Sequence, residues 1–152
     1  MKNTPKGWTR VSPSIFYDDA AAAIDWLCRA FGFEVRLKVE GDKGQIVHSE
    51  LVFGDGVVMV GSATTEAPPE QMFRTKFKSP RSVGGVNTQS LMLYVDDAEV
   101  HCARAKAAGA TIFMEPAIHD YGEDHWADRS YGAVDPEGHY WWFSERVRDR
   151  KN

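Results

Sequence analysis

The sequence predicts an α+β fold made of two tandem β-α-β-β-β units, and three observations carry that prediction. First, an aspartate-capped helical pattern occurs twice, closing on Gly32, 13 residues after Asp19, and on Gly109, 12 residues after Asp97. Second, the segments entering those helices echo one another. Tyr17-Asp18-Asp19-Ala20 matches Tyr94-Val95-Asp96-Asp97-Ala98 with one shift. Third, a tight turn precedes the last strand of each copy, Gly54-Asp55-Gly56 in one and Asp135-Pro136-Glu137-Gly138 in the other. Proline presets φ at the second turn position, and glycine accepts a positive φ later. A half-sheet of about 55 residues with one helix buries too little surface to stand alone, so the copies are expected to form one domain over residues 1–152.

Taken in order, Arg10 to Tyr17 alternates as a strand, with Ser12, Ser14 and Phe16 on one face and Pro13, Ile15 and Tyr17 on the other. Asp18 or Asp19 caps the first helix through its side-chain oxygen. Ile24, Leu27, Cys28 and Phe31 then recur at helical spacing, and Gly32 suits a left-handed C-terminal cap. Phe33 to Glu40, Gln45 to Phe53 and Val57 to Gly61 read as three further strands. Module one therefore runs over about 10–61.

Residues 62–87 break the pattern with Ala67-Pro68-Pro69, Ser79-Pro80 and Gly84-Gly85. They read as a linker or a lid, and Met72, Phe73 and Phe77 favour contact with the body. Module two spans about 88–146: a strand from Thr88 to Val95, a helix from Ala98 to Ala108, a strand from Thr111 to Met114 and a polar loop to Asp128. It closes on a hairpin from Arg129 to Val134 and Tyr140 to Phe143, both faces of the last strand being covered.

Composition narrows the function classes. The chain is 43% hydrophobic and 26% charged with a formal net charge of -4, a globular balance without the basic cluster a nucleic-acid partner would need. No apolar run approaches the roughly 18 residues of a membrane span, and the N-terminus lacks a signal-peptide core. Cys28 and Cys102 have neither metal-ligand spacing nor a disulfide framework, and they read as reduced, buried small hydrophobes. A cytoplasmic protein is expected.

Three pieces of sequence resemble the glyoxalase/bleomycin-resistance/extradiol-dioxygenase superfamily, the vicinal oxygen chelate proteins. They are Tyr17-Asp18-Asp19-Ala20 with Ala30-Phe31-Gly32-Phe33, then Tyr94-Val95-Asp96-Asp97 with Ala105-Lys106-Ala107-Ala108-Gly109-Ala110, and Asp135-Pro136-Glu137-Gly138-His139. The resemblance covers about residues 10–146. It implies curved mixed sheets around a cleft with the helices outside, and a homodimer. In its metal-dependent members, His, Gln or Glu ligands come from the first and last strands of each module. Those positions here are Ser12, Val60, Ser90 and Trp142. None donates strongly to a divalent ion, and a slip of one residue adds only Gln89. The resemblance thus implies a member without the family metal site, and no cofactor is expected.

Strand alternation predicts what lines the cleft. Ser90, Met92 and Tyr94 face inward if Leu91, Leu93 and Val95 face the helix, and the same parity turns Ser12, Ser14, Phe16, Val58, Val60, Tyr140 and Trp142 inward. In the third strand Val47, Leu51 and Phe53 are expected on the helix face, with His48 and Glu50 in the cleft. Such a lining, aromatic with one His/Glu pair, suits a small, partly aromatic organic molecule. His48, Glu50, Ser90, Met92, Tyr94, Tyr140 and Trp142 are the ligand-binding candidates, and Glu50 and His48 the catalytic ones. Trp142 as a stacking platform competes with Trp142 as core filler, and His48 with Glu50 as an acid–base pair competes with a plain cross-sheet hydrogen bond. His119, Asp120, Glu123, Asp124 and His125 read as a solvated loop. Two functions stay open: metal-free ligand binding, or a lyase, isomerase or dioxygenase using Glu50 and His48 or a displaced metal site.

Overall fold

The computed structural model describes residues 1–150. It contains two compact units, Met1–Val86 and a second beginning at Asn87, and each is a four-stranded mixed sheet with one α-helix against it. In the first unit β1 (Ser14–Tyr17), α1 (Ala20–Phe31), β2 (Glu34–Glu40), β3 (Ile46–Phe53) and β4 (Gly56–Ser62) follow in sequence. The spatial order is β1-β4-β3-β2, with β1 parallel to β4 and the other pairs antiparallel. The second unit repeats this with β5 (Leu91–Tyr94), α2 (Ala98–Ala107), β6 (Thr111–Asp120), β7 (Ala127–Val134) and β8 (Tyr140–Arg148), in the order β5-β8-β7-β6. Among the described residues no helix is long and apolar enough to cross a membrane.

Both helices begin and pack for the expected reasons. Asp19, rather than Asp18, caps α1 by accepting from the Ala22 N–H at 3.0 Å, and Asp97 accepts from the N–H groups of Glu99 and Val100 at 2.9 Å. Gly32 ends α1 at φ 84°, a left-handed value that costs other residues strain. Ile24, Leu27 and Phe31 are buried against the sheet with Ala20, Ala23, Trp26 and Ala30, each large side chain contributing about 1.5–3 kcal/mol. Cys28 is only half-buried, at the border of the stripe, whereas Cys102 is buried as expected and its thiol is pushed up by burial.

The Asp-Pro-x-Gly hairpin is held by its aspartate. Asp135 accepts from the Glu137 and His139 N–H groups at 3.0 Å and from the Trp141 indole N–H at 3.1 Å. Trp141 and Phe143 then face α2 in the core with Tyr131. The opposite face of β8 is not covered as expected, since Tyr140 is 40% exposed.

Several element bounds differ from expectation. The strand after α2 does not stop at Met114 but runs to Asp120, paired with β7, which leaves only residues 121–126 as loop. Pro116 lies within a register irregularity of this edge strand, where its missing N–H costs no ladder bond. β8 extends past Phe143 to Arg148 because β7 starts early enough to pair with it. At the other ends, β1 begins at Ser14 rather than Arg10, and β5 at Leu91 rather than Thr88.

Two face assignments are also corrected. Val47 is 50% exposed instead of facing α1, and Ile46 is buried in its stead. Val39 opposes His48 while Glu40 opposes Ile46, so Val47 is the extra residue of a β-bulge and alternation breaks there. In β4, Val60 pairs with Ile15, and Val58 with Leu51, so both valines lie on the helix face. The open face carries Val57, Met59 and Gly61 in their place.

Candidate functional site

Residues 62–87 are not a slack connection. Pro69–Lys76 and Pro80–Val83 wind into short 3-10 turns, and Phe77 lies on Phe16 with ring centroids 4.6 Å apart and planes 7° from parallel. Phe73 meets the edge of Phe77 at 6.4 Å. Such ring pairs contribute about 0.5–1.5 kcal/mol beyond area burial, enough to hold a strap against a sheet face. Beneath and beside it is a cleft of about 340 Å³, lined from the sheet by Ser14, Phe16, His48 and Met59 and from the strap by Phe73, Arg74 and Phe77. Arg74 is steadied by a hydrogen bond to Gln71 at 3.1 Å.

His48 and Glu50 are brought together as expected. The His48 Nε2 and Glu50 Oε1 are 3.2 Å apart, while the other carboxylate oxygen accepts from Arg36 Nε at 2.7 Å. Burial alone would raise the Glu50 carboxyl, but the hydrogen bonds from His48 and Arg36 outweigh it and hold it below the usual carboxylate range. Arg36 was not among the expected site residues. Val35 opposes Leu51 and Leu37 opposes Glu50, so Arg36 is the extra residue of a second bulge, next to Glu50 on the paired strand. Its guanidinium also lies over the Trp8 ring, 4.9 Å from the centroid, and donates to the Gly7 carbonyl.

The open face of the second unit holds the remaining candidates. Met92 sits opposite Trp142, and Tyr94 opposite Ser144. Trp142 is half-buried and takes the ring of Phe113 edge-on at 5.0 Å, while Phe113 also meets Tyr140 at 4.9 Å. Phe113 crosses Gly132, where an added Cβ would stand only 2.1 Å from its ring, so glycine is required for this arrangement. Tyr94 is engaged rather than free: its hydroxyl donates to Asp128 at 3.2 Å and accepts from Arg146, whose guanidinium also bonds Asp128 and lies 5.5 Å from the Trp126 ring. Ser90 lies outside the strand and is exposed. The loop reading of His119 and Asp120 is corrected, since both belong to β6. Asp120 is held at a pKa of about 2, chiefly by hydrogen bonds from Arg148.

The family metal positions can now be assigned by pairing. Ser14 opposes Met59 as Met92 opposes Trp142, so the counterpart of Trp142 is Met59 rather than Val60. The set becomes Ser12, Met59, Ser90 and Trp142, a hydroxyl pair, a thioether and an indole, which does not fit a divalent ion. Among the described residues no cluster of three or more His, Cys, Asp or Glu side chains has metal-binding geometry.

Phe73 and Phe77 carried a sequence signal, two aromatics four apart in a proline-bounded segment. Arg36, Phe113 and Arg146 carried none, because bulges and long-range pairs leave no local pattern.

Comparison with known proteins adds to this geometry. Residues 9–143 match the profile of the Glyoxalase/Bleomycin resistance protein/Dioxygenase superfamily. Mb0911c of Mycobacterium bovis is 36% identical over 140 residues, covering 91% of this chain and 84% of that protein. Among solved structures, TioX from Micromonospora sp. ML1 superposes with a TM-score of 0.64 at 28% identity, covering 91% of this chain and 99% of that one. TnmS3, an antibiotic binding protein from Streptomyces sp. CB03234, superposes with a TM-score of 0.61 at 18% identity, over 91% and 97% of the two chains.

Proposed function

The chain belongs to the Glyoxalase/Bleomycin resistance protein/Dioxygenase superfamily, and from that premise we propose that it binds a small, flat, partly aromatic organic molecule without a metal. The observation that carries this reading is the strap-covered cleft of the first unit, where Phe16, Phe73 and Phe77 offer ring faces and edges beside His48 and Arg74. Its volume of about 340 Å³ is at the small end of the range for small-molecule sites. TnmS3, which shares the fold, is by its name an antibiotic binding protein, and that supports a sequestering role over a chemical one. Trp142 and Tyr140, which share contacts with Phe113, and Met92 and Tyr94 on the neighbouring strand are a second candidate surface in the same proposal.

The enzymatic alternative, a lyase or isomerase, draws on the His48–Glu50 pair. In it Glu50 is a poor base, because both its oxygens already accept hydrogen bonds, and His48 is the group able to take a proton. The protein is further proposed to work as a homodimer, by its family.

Thermal-shift screening of the purified protein against a library of planar aromatic compounds tests the binding reading, since a ligand of the folded state raises apparent stability by mass action. Stabilising compounds should lose their effect in Phe77→Ala. If no compound stabilises the protein, or elemental analysis of untagged protein finds a stoichiometric divalent metal, the metal-free binding reading fails. Light scattering should give twice the 17.0 kDa chain mass; a 17.0 kDa particle at micromolar concentration would rule the dimer out.

A further inference from the structure

The N-terminal segment and the cleft are linked by a chain of contacts that the binding reading does not use. Trp8 lies under the Arg36 guanidinium, Gly7 accepts from it through its carbonyl, and Arg36 Nε donates to Glu50 at 2.7 Å. The second oxygen of that carboxylate meets His48 Nε2. Glu50 is only 9% exposed, so it cannot rotate freely toward water, and a carboxylate shared with a guanidinium is ionised and only accepts. The hydrogen on the His48–Glu50 contact must therefore come from histidine. A neutral imidazole carries one N–H, so placing it on Nε2 leaves Nδ1 as an acceptor. Within the described residues Nδ1 has no protein partner, and His48 lines the cleft.

The bulge at Val47 sets Val47 and His48 together on the cleft side, where a regular ladder would have sent one of them to the helix face. Arg36, at the other bulge, lies beside Glu50 on the paired strand.

We infer that Trp8 and Arg36 are positioning residues that act through Glu50 to hold His48 as its Nε2–H tautomer, presenting Nδ1 to the cleft as an acceptor for a ligand hydroxyl or N–H. The ligand class is thereby narrowed to planar aromatics bearing a hydrogen-bond donor, such as phenols. This last step rests on the cleft being a ligand site; the tautomer does not.

Nitrogen-15 NMR of the histidine rings at mildly alkaline pH reads the tautomer without any ligand. Wild-type His48 should show essentially one tautomer, with a downfield, slowly exchanging Nε2 proton. Arg36→Ala and Trp8→Ala should relax it toward the averaged mixture of free imidazole, and Arg36→Lys should restore part of the bias. A wild-type His48 that averages both tautomers, or one unchanged in Arg36→Ala, overturns the inference. With 2-naphthol and 2-methoxynaphthalene as calorimetric probes, the wild type should prefer the naphthol about tenfold, the worth of one hydrogen bond. Arg36→Ala should lose that preference. A fixed tautomer with equal affinity for both probes overturns the ligand assignment. If neither probe binds, the failure belongs to the cleft reading, and the NMR result still decides the positioning role.

Discussion

Replacing Asp135 by alanine tests how the second unit is held shut. The side chain is 5% exposed and accepts hydrogen bonds from Glu137 N and His139 N at 3.0 Å and from Trp141 Nε1 at 3.1 Å. Trp141 has no exposed surface, so its indole N–H would be left without an acceptor in the core, at about 1–3 kcal/mol. The two backbone N–H groups sit at a turn where water can partly replace the carboxylate, and each should cost about 1 kcal/mol. The expected loss is therefore about 4 kcal/mol, a large share of the 5–15 kcal/mol typical of a domain. Asp135→Asn keeps one carbonyl oxygen for the backbone donors and should cost about 1–2 kcal/mol. Urea unfolding followed by far-UV circular dichroism reads both, with the slope confirming that the transition stays cooperative. An alanine variant within about 1 kcal/mol of wild type, or an asparagine variant as unstable as the alanine one, would refute this account of the turn.

Three further outcomes follow from the same geometry. Gly132→Ala should push Phe113 off β7 and break its edge contact with Trp142, visible as a change in near-UV circular dichroism; an unchanged spectrum would show that Phe113 does not rest there. Trp142→Ala should cost about 2 kcal/mol, less than a fully buried tryptophan, because its ring is half-buried; a loss above about 4 kcal/mol would mark it as core. Asp120 has a folded pKa of about 2 against an ordinary 3.8, so its contribution is full above 3.8 and lost as pH falls toward 2. Asp120→Asn should flatten stability against pH in that acid window, by a small amount that high salt removes because the pair with Arg148 is exposed. An acid limb identical to wild type would count against the pairing.

Local chemistry was legible in the sequence, and long-range geometry was not. Asp19, Asp97, Gly32 and the Asp135 turn act through neighbours within a few residues, so their patterns could be read directly. Alternation placed Phe16, His48, Glu50, Met92 and Trp142 correctly on the open faces, since a strand's period is fixed wherever its ladder is regular. It failed at Val47, where a bulge adds a residue, and in β4, where the assumed register was one residue off. Extending the four-residue expectation for β6 to its full length was beyond local pattern too, because its polar half is stabilised by pairing with β7 rather than by composition. The strap was half legible: Phe73 and Phe77 announced an apolar contact, but nothing local named Phe16 as the partner.

On the proposed function, the strap-covered face of the first unit holds a flat aromatic ligand. Its most direct test is amide chemical-shift mapping of labelled protein titrated with the strongest stabiliser from the thermal-shift library. Saturable shifts should cluster at Phe16, Val47, His48, Met59, Phe73 and Phe77, and should be lost in Phe77→Ala. Saturable binding that leaves those residues unmoved and perturbs others would contradict it.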